Sequence, residues 1–454
     1  MDCSKGNKGL NFRNYRKIYT NIFFSIFLFI DLFIKTISRN EFHINIYGSN
    51  YITLKINGTG VKNFLTSNIG EKGFPSNNFP NEIHINEIRK NISTSKYNFS
   101  QQENRIKLVW YNNIDNSAYM FYFCPDITEI DLSNFVSSNI NLMTYMFGKC
   151  SSLTSINLTN FDTSKTTKIN RLFEGCSSLT SLDLSSFDTS NILWMNHMFF
   201  RCSSLTSINI TNFNTSKTTD MEYLFADCKL LKSIDLSKLT TSSARYHQYM
   251  FLNCVSLTSL DLSNFDTSQI TRMDGMFSNC ISLISLNLSN FYIPKIIYIH
   301  EMFSGCSSLE YLDISNFNIS NITNLESMFS GCKSLISINL SSFNTSVVTN
   351  MNNMFKDCSS LISLDLSNFD TSNVEWMQNM FDGCIKLEYI NLNNFREYSL
   401  IKEYWYDIFK NVSNNITLCI NDNINITMDE IMKIKCYSIL CSDNWLFLQQ
   451  KKIE

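Results

Sequence analysis

The sequence is short of the residues that usually build catalytic loops and linkers. Among its 454 residues are only 4 prolines, 13 glycines and 5 histidines, and 17% of residues are charged. So little proline and glycine excludes a collagen-like or linker-rich chain. No G-x-G-x-x-G, G-x-x-x-x-G-K-[ST], G-x-S-x-G or H-E-x-x-H sequence is present, which removes the familiar phosphate-cradling, nucleophile-elbow and zinc-protease signatures. His43, His84, His197, His247 and His300 are scattered. Cys–His catalysis would need one singular cysteine, and most cysteines here belong to a regular series. We therefore expect no enzyme and no cofactor. A net charge of −3 offers no basic footprint, so nucleic acid is not an expected partner.

What the chain has instead is repetition. Cysteines recur every 26 residues from Cys124 to Cys384, each preceded three positions earlier by a phenylalanine, Phe121 to Phe381. A fixed period of this length is the signature of a solenoid. In the repeat that begins at Cys332, the residues Leu335, Ile338 and Leu340 give L-x-x-I-x-L. Period-two alternation there predicts a short half-buried strand whose other face carries Ser337, Asn339 and Ser341. Asn344-Thr345-Ser346 is turn chemistry. Met351, Met354, Phe355 and Cys358 then fall at i, i+3, i+4 and i+7, which predicts a short α-helix. The expected fold is α/β: a leucine-rich-repeat-type solenoid of about 11 coils, each a short strand, a turn and a short helix in 26 residues, with a β-rich N-terminal cap. One coil cannot bury its own apolar face, so stability must come from stacking.

The motif C-S-S-L-x-S-L-D-L-S-x-F-D-T-S, with M-F-x-x-C closing each repeat, resembles the BspA-like leucine-rich-repeat surface proteins, a family of 26-residue-repeat surface proteins. The resemblance implies export, display on a cell surface, and adhesion or recognition without chemistry. Outside the repeats, residues 1–39 carry basic residues ahead of the apolar stretch 18–34 and are expected to be a signal peptide or signal anchor. Residues 40–118 read as the β-rich cap, 119–397 as the solenoid, and 398–454 as a C-terminal cap. The expected location is secreted or cell-surface, with the membrane involved only through the N-terminal segment if it stays uncleaved. A self-associating coat or matrix protein is the alternative function, and an intracellular scaffold a weaker one.

Candidate sites follow from the columns that stacking creates. Asp183, Asp235, Asp261, Asp313 and Asp365 alternate with asparagines at one strand position, and Tyr311 and Tyr389 interrupt the serine column beside them. We take these seven as a candidate binding face for a protein or glycan ligand. Trp194 and Trp376 stand where the predicted helix begins, and exposed aromatics are favoured interface anchors. A single column supplies too few oxygens for calcium. No C-x-x-C pair or His cluster suggests zinc, so no metal is expected. The ladder cysteines share a face with Met and Phe and should be buried free thiols. Cys419, Cys436 and Cys441 lie off the lattice and are candidates for one disulfide. Asn57, Asn91 and Asn98 are the favoured glycosylation acceptors among many Asn-x-Ser/Thr sites.

Overall fold

The computed structural model describes residues 50–66, 73–396, 406–420, 429–434 and 437–439. The apolar stretch 18–34, Cys436 and Cys441 lie outside the described residues. Residues 50–66 and 73–109 contribute antiparallel strands, β1 (Tyr51–Asn57), β2 (Gly60–Asn63), β3 (Glu82–Ile85), β4 (Ile88–Lys90), β5 (Lys96–Phe99) and β6 (Glu103–Val109), with burial alternating along β1, β3 and β6. β1 also pairs antiparallel with β7 (Ile127–Asp131), and β7 pairs parallel with β8 (Ser155–Asn157). This one sheet therefore runs from the N-terminal layer into the first coils. Pairing across the end of the stack satisfies backbone groups that a bare terminal coil would leave open.

The repeat strands continue as β9 (Ser181–Asp183), β10 (Ser207–Asn209), β11 (Ser285–Asn287), β12 (Tyr311–Asp313), β13 (Ser363–Asp365) and β14 (Tyr389–Leu392). They pair in parallel, and β14 carries on into β15 (Ile416–Ile420) and β16 (Tyr437–Ile439). A second parallel line is the more continuous one. It consists of single bridges that step by 26 residues from Asn116 through Leu142, Lys168, Trp194, Asp220, Tyr246 and Arg272 to Tyr298.

The predicted helix is absent, and this corrects the α/β expectation: the coils form a β-solenoid. The Met-x-x-Met-Phe-x-x-Cys segment is a chain of tight turns with two residues in the left-handed region per coil, for example Tyr249 (φ 58) and Asn253 (φ 57). An L-residue held there cannot continue a right-handed helix. The N–H groups alternate in destination. Met250 and Cys254 donate back three residues, to the carbonyls of His247 and Phe251, whereas Phe251 and Asn253 donate to Met276 and Ser278 of the next coil. Consecutive tight turns bring every third or fourth residue inward much as a helix does, so the apolar period does not distinguish the two. Gly275 takes the same left-handed position; a Cβ there would lie 2.3 Å from the Tyr249 ring, so the absence of a side chain lets that ring pack.

Burial follows the apolar pattern closely. The phenylalanines from Phe121 to Phe381 form one continuous stack, with ring centroids 5.3–6.1 Å apart, and Phe409 extends it beyond the 26-residue register. The ladder cysteines are all free and buried. They are more than small apolar fillers. Each thiol from Cys150 to Cys384 donates to the carbonyl of the phenylalanine 29 residues earlier, as Cys254 does to Phe225 at 3.2 Å. That carbonyl also accepts its own coil's cysteine N–H. Threonines of the D-T-S turns act likewise: the Thr163 hydroxyl donates to the Asp188 carbonyl at 2.9 Å.

One position breaks the core pattern. His247 occupies the slot filled by Met221 and Met273 in adjacent coils, is fully buried, and has no hydrogen-bond partner on either ring nitrogen. Burial pushes its pKa down to about 3, so the ring sits in the stack uncharged.

Candidate interaction surfaces

Two lines of side chains face outward from the described coils. On the strand line, Asp183, Asp235, Asp261 and Asp313 are exposed and Asp365 is half-buried. Tyr311 is 60% exposed, and Tyr389 is half-buried. Every member of the Asp/Asn column turns its Oδ1 back on the chain. Asp183 accepts the N–H of Ser185 at 2.9 Å, Asp235 that of Ser237, Asp261 that of Ser263, Asp313 that of Ser315 and Asp365 that of Ser367. The asparagines repeat this, as Asn339 does with Ser341. These are Asx turns, and they need only one side-chain oxygen. Aspartate and asparagine serve equally, which explains their interchange down the column. The same hydrogen bonds hold the carboxyls of Asp183, Asp235, Asp261 and Asp313 below the usual range. Asp235→Ala should therefore lower stability by removing the turn's acceptor, while Asp235→Asn, which keeps that oxygen, should leave stability almost unchanged. Urea unfolding of the two variants checks this; equal losses would count against the turn role.

The second line alternates aromatic and charged residues: Lys168, Trp194, Asp220, Tyr246, Arg272, Tyr298. Lys168 lies over the Trp194 ring at 4.0 Å, and the Arg272 guanidinium lies over Tyr298 at 4.7 Å. Two residues further along each coil comes a polar column that includes Glu222, Gln248, Asp274 and His300. Asp274 is fully buried and receives Arg272 through Nε at 3.1 Å and Nη2 at 3.0 Å. Burial raises the carboxyl pKa of both Asp220 and Glu222, and for Glu222 the Asp220 charge adds to it. A third column stacks Tyr223 between His197 and Tyr249, with centroids 4.7 and 4.8 Å away. Sequence reading picked out Trp194 but missed this setting, because its members are separated by multiples of 26 residues and only the columns reveal them.

Elsewhere, an open groove of about 650 Å³ over the N-terminal sheet is lined by Lys55, His84, Arg105, Lys107 and Glu129. Within it Lys55 bridges Glu103 and Glu129 at 3.3 and 3.2 Å. Asn57, Asn91 and Asn98 are exposed. Cys419 is buried and disulfide-bonded. Among the described residues no cluster of His, Cys, Asp and Glu could hold a metal ion, and no helix is long and apolar enough to cross a membrane.

Four overlapping segments, residues 90–207, 115–232, 195–310 and 297–417, match the family described as "Mycoplasma protein of unknown function, DUF285". Together they span well over half of the chain. The chain belongs to the DUF285 family. Overlapping restarts are what a tandem array produces, since a DUF285 match can begin at more than one coil. No curated protein matches the sequence.

Among solved structures, leucine-rich-repeat proteins are similar to this DUF285 chain. TLR13 in complex with ssRNA13 is 16% identical over 69% of this chain and 50% of its own, with a TM-score of 0.25. A leucine-rich-repeat protein of Leptospira interrogans is 14% identical over 70% of this chain and 91% of its own, with a TM-score of 0.20. An internalin from Listeria monocytogenes is 17% identical over 66% and 88%, with a TM-score of 0.17. The DUF285 chain thus spans half the length of the TLR13 chain it matches, and 40% of the Drosophila Toll chain. TM-scores this low carry no functional argument. The expectation that nucleic acid is not a partner finds no support in these comparisons.

Proposed function

We propose that the chain is an exported or surface-displayed recognition protein of the BspA-like kind, in which the solenoid binds a protein or glycan partner and performs no chemistry. The observation that carries this reading is the division of labour within each coil. Thiols, threonines and Asx side chains satisfy the stack internally, while Tyr311 and the Trp194–Tyr298 line remain outward. Large aromatics kept exposed on a rigid repeat surface are the residues that anchor interfaces. The N-terminal apolar stretch supports export, and membership of DUF285 is compatible with it. The strand-line residues Asp183, Asp235, Asp261, Asp313, Asp365, Tyr311 and Tyr389 remain a proposed binding face, with the carboxylates acting through whatever capacity the turns leave free.

The test is protease shaving of intact cells of the source organism, with released peptides identified by mass spectrometry. Peptides from residues 119–397 released from unbroken cells are the expected result. Full protection until lysis would overturn surface display and favour an intracellular scaffold.

A further inference from the structure

The second line contains its own example of how it holds a cation. Arg272 lies between the coils that carry Tyr246 and Tyr298, stacked on Tyr298, and its guanidinium is gripped by Asp274 in the bidentate manner that suits a planar fork. Two coils earlier the same scaffold recurs without the cation. Trp194 and Tyr246, 44% and 40% exposed, take the places of Tyr246 and Tyr298. Glu222 takes the place of Asp274, and Asp220 stands where Arg272 would be. The walls are two coils apart, roughly 10 Å at the usual strand spacing. Lys168 covers one face of the Trp194 indole from the preceding coil, so the other face borders the Asp220 slot.

The slot also holds unmet polar capacity. Among the described residues the Glu222 carboxylate makes no hydrogen bond or ion pair; its backbone alone is engaged, the N–H by Asp220 Oδ1 at 3.0 Å and the carbonyl by the His197 N–H at 2.8 Å. In the coil between Glu222 and Asp274, at their own position, Gln248 is 4% exposed and its Oε1 has no hydrogen-bond partner. A buried acceptor without a donor is costly, and Gln248 stands one coil from Glu222 in the same column, so a guanidinium seated on Glu222 would bring donors to its side of the stack.

We propose that the slot between Trp194 and Tyr246, with Glu222 at its base and Gln248 in the coil beside it, binds an arginine side chain presented by a partner protein. Arginine suits the slot better than lysine because a planar guanidinium can stack on the ring and still present paired donors. The proposal rests on the reading of the solenoid as a recognition protein and adds the site and the chemistry of its ligand.

The test uses the purified chain and a fluorescein-labelled Gly-Ser peptide containing three arginines, with its three-lysine analogue as control, followed by fluorescence polarisation. The arginine peptide should bind several-fold more tightly than the lysine peptide. Glu222→Gln and Trp194→Ala should each weaken it about tenfold, the loss expected for a charge-assisted pair, with unchanged unfolding midpoints. Asp220→Arg supplies an internal guanidinium and should abolish peptide binding; because it also removes the oxygen that accepts the Glu222 N–H, its circular dichroism is matched to the wild type before binding is read. Equal binding of the two peptides, or wild-type binding by Glu222→Gln, would overturn the assignment. Binding of cellohexaose that is lost in Trp194→Ala but kept in Glu222→Gln would overturn it in favour of a sugar. Any of these failures leaves the surface-display reading to its own test on intact cells.

Discussion

Raising the pH of the reduced protein from 8 towards 11 should unfold the solenoid in a narrow interval. The cause is the thiol ladder. Burial pushes Cys150, Cys202, Cys254, Cys306 and Cys384 up to about 12, and raises Cys124, Cys176, Cys228, Cys280, Cys332 and Cys358 well above the ordinary value. In the unfolded chain a thiol ionises near 8.5. Below that value both states keep their protons, and the ladder adds no pH dependence. Above it the unfolded chain releases protons that the folded chain retains, so stability falls as pH rises and levels off only when the folded thiols ionise. Each thiol contributes roughly 1.4 kcal/mol per pH unit, so the eleven in the ladder together give about 15 kcal/mol per pH unit. That slope is as large as the whole stability of an ordinary domain. Circular dichroism across this range, with reductant present, should show cooperative loss of structure. Replacing Cys228, Cys254, Cys280 and Cys306 by alanine should reduce the slope of stability against pH by about a third. The slope is the diagnostic, because each substitution also removes a thiol–carbonyl hydrogen bond. An unaltered slope would mean that the ladder is not the titrating element.

Phe277→Ala should cost about 3–5 kcal/mol. The ring is fully buried, 5.9 Å from Phe251 and 5.8 Å from Phe303. Its removal leaves a cavity in the middle of the phenylalanine stack. In a solenoid each coil touches only its neighbours, so a gap there weakens the coupling between the two halves rather than one local contact. The unfolding transition should move to lower urea and broaden as the halves begin to melt separately. Phe277→Leu, which keeps most of the volume, should lose much less. An alanine variant with the wild-type midpoint and width would contradict a continuous core.

Much of this architecture was legible because the repeat is so regular. The 26-residue step gave the coils, and the apolar positions gave the core, Phe251, Cys254 and Leu257 among them. The helix was misread because Met, Phe and Cys at i, i+3, i+4 and i+7 suit a run of tight turns equally well. A signal against the helix was present one residue before eight of the eleven ladder cysteines, the exceptions being Cys124, Cys150 and Cys202 after Phe123, Lys149 and Arg201. Gly175, Asp227, Asn253, Asn279, Gly305, Gly331, Asp357 and Gly383 all adopt the left-handed conformation, which Gly, Asn and Asp tolerate best. Of the strand-line aspartates, Asp183, Asp235, Asp261 and Asp313 lie exposed and Asp365 half-buried. Their Asx turns were not anticipated, although Ser or Thr follows two residues later in nearly every coil.

By itself the sequence determined the period, the number of coils and the identity of the core. Those depend on the type of residue at each position, and hydrophobic burial acts on residue type almost regardless of backbone detail. The tertiary structure decided where the backbone N–H groups and polar side chains find partners. Those choices are made between residues 26 apart, such as Phe251 and its neighbour coil, and so no local window of sequence contains them. For the same reason only the stacked coils bring Trp194, Glu222, Gln248 and Tyr246 around one slot: their neighbourhood is created by the registration of one coil on the next.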